Sequence, residues 1–248
     1  MNLGIIIQAR MESTRLPGKV YKKILNKHLL EHVILRVKKA KSAKKIIVAI
    51  PDTKKSAVLL PLIKKNKADF YLGSQDNVLD RYIKTAEKFK LDTVVRITAD
   101  CPLIDPVLID EIVEKYLNFE KKLDFLFIKD YPFGLGDIEV ISTETLKKIS
   151  RLTKDPFHFE HVVSFISERP DLFNIKVEKA PSEFSRPNFR VCVDEPRDLV
   201  LVKKIFEHFK PREYFSTKEI IEYLDKNPKI LAVNENIKHN FIIPKTND

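Results

Sequence analysis

The chain has 248 residues, 44% hydrophobic and 32% charged, with a net charge of +10 and only five glycines. That composition excludes disordered, collagen-like and disulfide-scaffold chains, and no apolar run is long enough to span a bilayer. The basic excess lies mostly in scattered lysines, such as Lys38-Lys39, Lys64-Lys65, Lys121-Lys122 and Lys203-Lys204, so an anionic small molecule explains it as well as nucleic acid does.

Residues 3–9 are an apolar run suited to a strand buried on both faces. No basic segment precedes it and Arg10 follows, so it reads as a strand and not as a signal peptide. Residues 10–19 form a polar, basic loop. Leu29, Leu30, Val33, Ile34 and Val37 recur at helical spacing and predict a helix over 29–41. A buried strand over 45–50 ends at Pro51-Asp52, and a helix is expected over 54–66. Phe70-Tyr71-Leu72 is a short strand ending at Gly73. A helix over 77–90 and a strand over Thr93–Thr98 follow. Pro106 opens the next helix, and 123–128 is strand-like.

In the second half, 137–141 reads as a strand, and 142–151 and 156–168 as helices. Strands are expected over 173–179 and 188–193, and helices over 195–209 and 217–226, the last capped by Ser216. This alternation predicts an α/β, Rossmann-like fold with a mainly parallel sheet flanked by helices. The chain is expected to be a single domain, with a nucleotide-binding half over 1–128, an acceptor and dimer half over 129–215, and a helical tail over 216–248. Ligands of such sheets bind beyond the carboxyl ends of the strands, which gathers the loop 10–19, the Gly73 turn and the Asp100 turn on one rim. Cys101 and Cys192 are expected to be reduced thiols that pack in the interior, in a cytoplasmic protein.

A chain this sparing with glycine uses it where the backbone needs it, since average usage of about 7% would supply about 17. Gly18 stands in the first cluster of chemical groups, with Arg10, Ser13, Thr14, Arg15 and Lys19. Three cations, two hydroxyls and a flexible backbone within ten residues suit a polyphosphate, although a solvated basic turn at Pro17-Gly18 has the same composition. Neither GxxxxGK[ST] nor GxGxxG is present. Asp100 stands at a strand end near these cations, where a carboxylate calls for a metal or an ionic partner.

The run Gln8-Ala9-Arg10-Met11-Glu12-Ser13-Thr14-Arg15-Leu16-Pro17-Gly18-Lys19 resembles the opening motif of the CMP-sugar synthetases, the acylneuraminate and 3-deoxy-manno-octulosonate cytidylyltransferases. Its form is most similar to the SpsF-type spore-coat polysaccharide branch. Gly73-Ser74-Gln75-Asp76-Asn77, Thr98-Ala99-Asp100-Cys101-Pro102-Leu103-Ile104-Asp105-Pro106, Gly136-Asp137-Ile138-Glu139, Glu160-His161 and Asp194-Glu195-Pro196-Arg197-Asp198-Leu199 agree in order, so the resemblance covers essentially the whole chain.

The resemblance implies CTP as substrate, Mg²⁺ as cofactor, an acidic sugar or sugar-phosphate-like acceptor, release of pyrophosphate and a homodimer. It implies that Gln8, Ala9, Arg10, Ser13, Arg15, Lys19 and Asp100 bind the nucleotide, with Gly73, Ser74, Asn77 and Arg81 at the base. Helix capping competes for Ser74, Asp76 and Asn77. Arg10, Arg15, Lys19 and Asp100 are the expected catalytic set, and Asp100 and Asp194 the expected metal ligands. Capping of the helix near Pro196 competes for Asp194.

On the acceptor side stand Tyr131, Asp137, Glu139, Glu160, His161 and Arg190. Salt bridging competes for Arg190, and a structural role for His161. Many family members carry Thr two residues beyond the Glu, where this chain has Val162. A glycosyltransferase of related fold would be expected to show Asp-x-Asp, which is absent. A nucleotidyltransferase acting on a sugar 1-phosphate is barely separable by sequence. A non-catalytic nucleic-acid-binding protein would not need both the intact loop and the two aspartates.

Overall fold

The structure, a computed structural model, describes residues 1–237. The last part of the expected tail, 238–248, lies outside the described residues. Nine strands and ten α-helices follow in chain order among them. They are β1 (Leu3–Gln8), β2 (Lys23–Ile24), β3 (Lys27–His28), α1 (Leu29–Val37), β4 (Ile46–Pro51), α2 (Leu60–Lys65), β5 (Asp69–Gly73), α3 (Val78–Lys88), β6 (Thr93–Thr98) and α4 (Pro106–Leu117). Then come β7 (Phe125–Lys129), β8 (Glu139–Ser142), α5 (Thr143–Leu152), α6 (Pro156–Glu160), α7 (Ser164–Glu168), β9 (Ile175–Lys179), α8 (Pro196–His208), α9 (Thr217–Lys226) and α10 (Pro228–Leu231).

Seven strands form one sheet in the order β5-β4-β1-β6-β8-β7-β9. Only β8 runs against its neighbours, because the short connection 130–138 returns the chain beside β7. The remaining pairs are parallel. Alternate residues of each strand serve two cores. Ile5 and Ile7 of β1, Val48 and Ile50 of β4 and Val95 and Ile97 of β6 face α1, α2, α4, α8 and α9. Ile6, Ile47 and Val94 face α3, α5 and α7. That is why β1 and β4 read as nearly continuous apolar runs.

Three expectations differ. The segment 188–193 is no strand. It makes one bridge, Phe133 to Arg190, and its amides go to loop carbonyls: Val191 and Cys192 donate to the Phe133 oxygen at 2.7 and 3.1 Å, and Val193 to the Asp100 oxygen at 2.8 Å. Its apolar pattern reflects burial between two loops, with Val191, Cys192 and Val193 at most 1% exposed. The helix expected over 156–168 is two short helices, α6 and α7, separated at His161–Val163. The helix expected over 54–66 begins as a 3₁₀ turn at Ser56–Leu59 before α2.

The chain visits β1, β4 and β5 on one side and then crosses back to β6, so the strand order reverses between β1 and β6. The carboxyl ends of those two strands therefore flank a crevice, the usual ligand position in open α/β sheets.

Candidate functional site

The loop after β1 is folded by its own backbone. The Ser13 and Gly18 amides both donate to the Met11 oxygen at 3.1 Å, and the Lys19 amide donates to the Leu16 oxygen at 3.1 Å. Gly18 has φ +65, the left-handed region that glycine occupies at no steric cost. It starts the 3₁₀ turn Lys19–Tyr21, which aims Lys19 inward. The cavity so formed, about 200 Å³, is lined among others by Gln8, Arg10, Ser13, Arg15, Asp100 and Asp194.

Lys19 is the centre of the site. Its Nζ donates to Asp100 Oδ2 at 2.6 Å and to Asp194 Oδ1 at 2.7 Å. Burial alone would lower its pKa, but the two carboxylates outweigh burial and hold the ammonium above the usual lysine range. Burial likewise pushes Asp100 up, and Lys19 overrides it, bringing the carboxyl down to about 2. Asp100 follows β6, which supplies its rigid approach. Asp194 arrives on the loop that Val193 ties to the Asp100 carbonyl.

The remaining cations are paired. Arg15 reaches Asp194 at 3.1 Å, and Arg10 reaches Glu160 at 2.7 Å. Arg190, 2% exposed, donates to Asp194 at 2.8 Å and to both oxygens of Asp198 at 3.0 and 3.1 Å. It braces Asp194 from behind and does not line the cavity. Asp198 also accepts from the Asp194 and Glu195 amides at 2.9 Å, closing a capping box at the start of α8. The N-cap is therefore Glu195, and Asp194 is left with its carboxylate in the site. Sequence reasoning did not single out Asp198; its signal was the i, i+4 spacing from Asp194. Thr98 and Thr14 also line the cavity.

The Gly73 turn stands apart from this cavity. Asn77 caps α3 through Oδ1, which accepts from the Asp80 amide at 2.8 Å, and Ser74 Oγ accepts from the Asn77 amide at 3.0 Å. Arg81, fully buried, donates from Nη1 to the Ser74 oxygen at 2.6 Å, while its Nε and Nη2 have no partner among the described residues. Burial pulls its pKa down to about 10.

Of the residues expected on the acceptor side, Tyr131 is 7% exposed and its hydroxyl has no partner among the described residues. Glu139 of β8 is buried, and its Oε2 accepts from Arg96 Nη1 at 2.7 Å. Asp137 accepts from the Gly134 amide at 2.7 Å. Burial pushes its carboxyl up to about 8, and the charges of Asp100 and Glu139 push the same way. His161 caps α6 at its C-terminal end and packs on Phe157, 4.5 Å between ring centres. Burial lowers its pKa, with Arg96 and Arg10 adding to the effect and Glu160 opposing it, which favours the neutral imidazole. The thiols of Cys101 and Cys192 are buried, and burial pushes both well up.

Among the described residues no group of three or more His, Cys, Asp and Glu is placed to hold a metal. The donor set at the centre is two carboxylates converging on one cationic position. Two hard oxygens fit Mg²⁺, which keeps waters and takes phosphate oxygens for the rest of its shell. No helix among the described residues is long and apolar enough to cross a membrane.

The family model described as "Cytidylyltransferase" matches residues 4–236. The chain is 32% identical over 236 residues to the spore coat polysaccharide biosynthesis protein SpsF of Bacillus subtilis, covering 93% of this chain and 97% of that protein. It is 31% identical over 113 residues to the 3-deoxy-manno-octulosonate cytidylyltransferase of Geobacter metallireducens, 46% of this chain and 44% of that one. A solved cytidylyltransferase structure from Leptospira borgpetersenii superposes with a TM-score of 0.89 at 30% identity, over 96% of this chain and all of that one.

Proposed function

The chain belongs to the cytidylyltransferase family, and from that membership we propose that it transfers CMP from CTP to a sugar-like acid acceptor for surface polysaccharide synthesis. The reaction is in-line attack of an acceptor oxygen on the α-phosphorus of CTP. One P–O bond forms, the bond to the β-phosphate breaks, and pyrophosphate leaves. The observation that carries the reading is the Lys19 ammonium held between Asp100 and Asp194, inside a basic loop at the β1–β6 crossover.

Arg10, Arg15 and Lys19 hold the β- and γ-phosphates and stabilise the departing pyrophosphate. Asp100 and Asp194 would hold Mg²⁺, which would supply Lewis-acid charge neutralisation to the reacting phosphate. Backbone groups at Gly73 with Ser74, Asn77 and Arg81 read the cytosine, and the two unpartnered Arg81 nitrogens support that assignment. Tyr131, Asp137, Glu139, Glu160 and His161 shape the acceptor side. Arg190 acts as a positioning residue for Asp194. Catalysis is positioning plus electrostatics and uses no protein nucleophile. The reading includes a cytoplasmic homodimer, with the nucleotide half over 1–128 and the acceptor half over 129–215.

A pyrophosphate-release screen tests it, with four nucleoside triphosphates against a panel of acidic sugars and sugar phosphates in Mg²⁺. Release with CTP and an acidic sugar is expected. Release confined to another nucleotide, or to sugar 1-phosphates, would overturn the proposed reaction.

A further inference from the structure

A second cavity, about 650 Å³, lies between the β2–β3 hairpin, α1 and the segment after α8. None of its lining residues lines the phosphate-loop cavity. Leu35, Phe206 and Pro211 give it an apolar floor, while Lys27, Lys39, Lys210 and Arg212 supply cations against the single acid Glu213. Lys27 is paired with Glu213 at 2.8 Å and Arg212 with Glu219 at 2.7 Å. Lys39 and Lys210, both exposed, have no carboxylate partner among the described residues.

The deciding residue is Arg36. It lines the cavity yet is only 2% exposed. Its Nε donates to the Ile104 oxygen at 2.8 Å and its Nη2 to the Phe215 oxygen at 2.9 Å, while its Nη1 has no partner among the described residues. The guanidinium carbon lies 5.1 Å from the ring centres of both Tyr214 and Phe215. Asp105 acts on it through space, but both Asp105 oxygens are taken by the Val107 and Thr217 amides and the Tyr214 and Thr217 hydroxyls. Arg36 therefore has an anion at a distance but no carboxylate in direct hydrogen bond, an arrangement in which a further anion on the buried guanidinium is favourable.

We propose that this cavity is a second ligand site, distinct from the nucleotide seat, for a phosphomonoester carried on an apolar or aromatic body. Arg36 Nη1 takes one phosphate oxygen. Lys39 and Lys210 balance the rest of a dianion, and the floor of Leu35, Phe206 and Pro211 covers the body. A dianion matches three cations without carboxylate partners better than a carboxylate does.

The test is calorimetric titration of the full chain with phenyl phosphate, inorganic phosphate and benzoate. Phenyl phosphate should bind most tightly. The double variant Lys39→Ala/Lys210→Ala changes exposed residues only and should weaken it by about tenfold or more. Lys19→Ala, which alters only the nucleotide seat, should leave it unchanged. Crystals soaked in phenyl phosphate should show a phosphate oxygen on Arg36 Nη1. The proposal is overturned by absence of millimolar binding, by benzoate binding as tightly, or by loss in Lys19→Ala with the rim variant unaffected. Density at the phosphate loop alone overturns it as well.

Discussion

Lys19, Asp100 and Asp194 hold one another in their charged forms, and removing any one leaves partly buried charge without compensation. Lys19→Ala or Asp100→Asn should therefore lose most turnover while far-ultraviolet circular dichroism stays native. Wild-type-like pyrophosphate release would remove that residue from the catalytic set. The pairing also has a pH signature. Asp100 is held at about 2 against 3.8 in the unfolded chain, so its contribution is present above 3.8 and lost as pH falls through about 2. Metal-free wild type should lose melting temperature across that window more steeply than Lys19→Ala. Asp137 works in the opposite sense. Its carboxyl is raised from 3.8 to about 8, so the folded state holds a proton that the unfolded chain releases, and stability falls with rising pH between those values. Asp137→Asn can still accept from the Gly134 amide. Its advantage in melting temperature over wild type should widen up to about pH 8 and then level off. A constant gap would show that Asp137 ionises normally.

At the scale of elements, α8 is fixed by one buried carboxylate. Asp198 accepts from two amides, from Asn234 at 2.8 Å and from the Arg190 fork, and is fully buried. Asp198→Ala should destabilise the fold by about 3–5 kcal/mol, because it removes the two-oxygen partner of the buried Arg190 guanidinium, which keeps its bond to Asp194, and strips the acceptor from two amides; urea unfolding reads this directly. The neighbouring loop is held by Gly134, with φ +102, where a Cβ would stand 2.4 Å from the Cys192 nitrogen. Gly134→Ala should lower the urea midpoint and displace 191–194, the segment that delivers Asp194. This packing explains what periodicity could and could not tell. Strands β1, β4 and β6 were legible because both faces are largely buried and their central residues are mostly aliphatic, Arg96 being the exception. Residues 188–193 carry a similar apolar stretch at Val191-Cys192-Val193, but their amides meet loop carbonyls, and hydrophobicity does not distinguish a ladder from a buried crossing. The break at His161–Val163 was hidden because Val162 and Val163 continue the apolar face of the helix pair.

In the whole molecule, the crossover between β1 and β6 brings residues 81 and 175 positions from Lys19 onto its ammonium. The loop 10–19 was legible as a dense local cluster of chemical groups, and the structure places several of them around one cavity. The pairing of Asp100 with Asp194 came from family resemblance, since nothing local in the sequence marks their distance. Arg190 behind Asp194, and Arg36 beside the second cavity, were beyond reach because their meaning lies in burial and in which hydrogen bonds are missing. The cavity beside Lys19, the proposed phosphate seat, is not lined by the Gly73 turn, so nucleotide affinity and base choice should be separable by mutation. The most direct measurement is calorimetric titration of wild type with CTP, UTP, ATP and GTP in Mg²⁺, repeated with Lys19→Ala. CTP should bind tightest by about tenfold or more, and Lys19→Ala should weaken all four. Equal binding of the four nucleotides, or CTP affinity untouched by Lys19→Ala, would contradict the account.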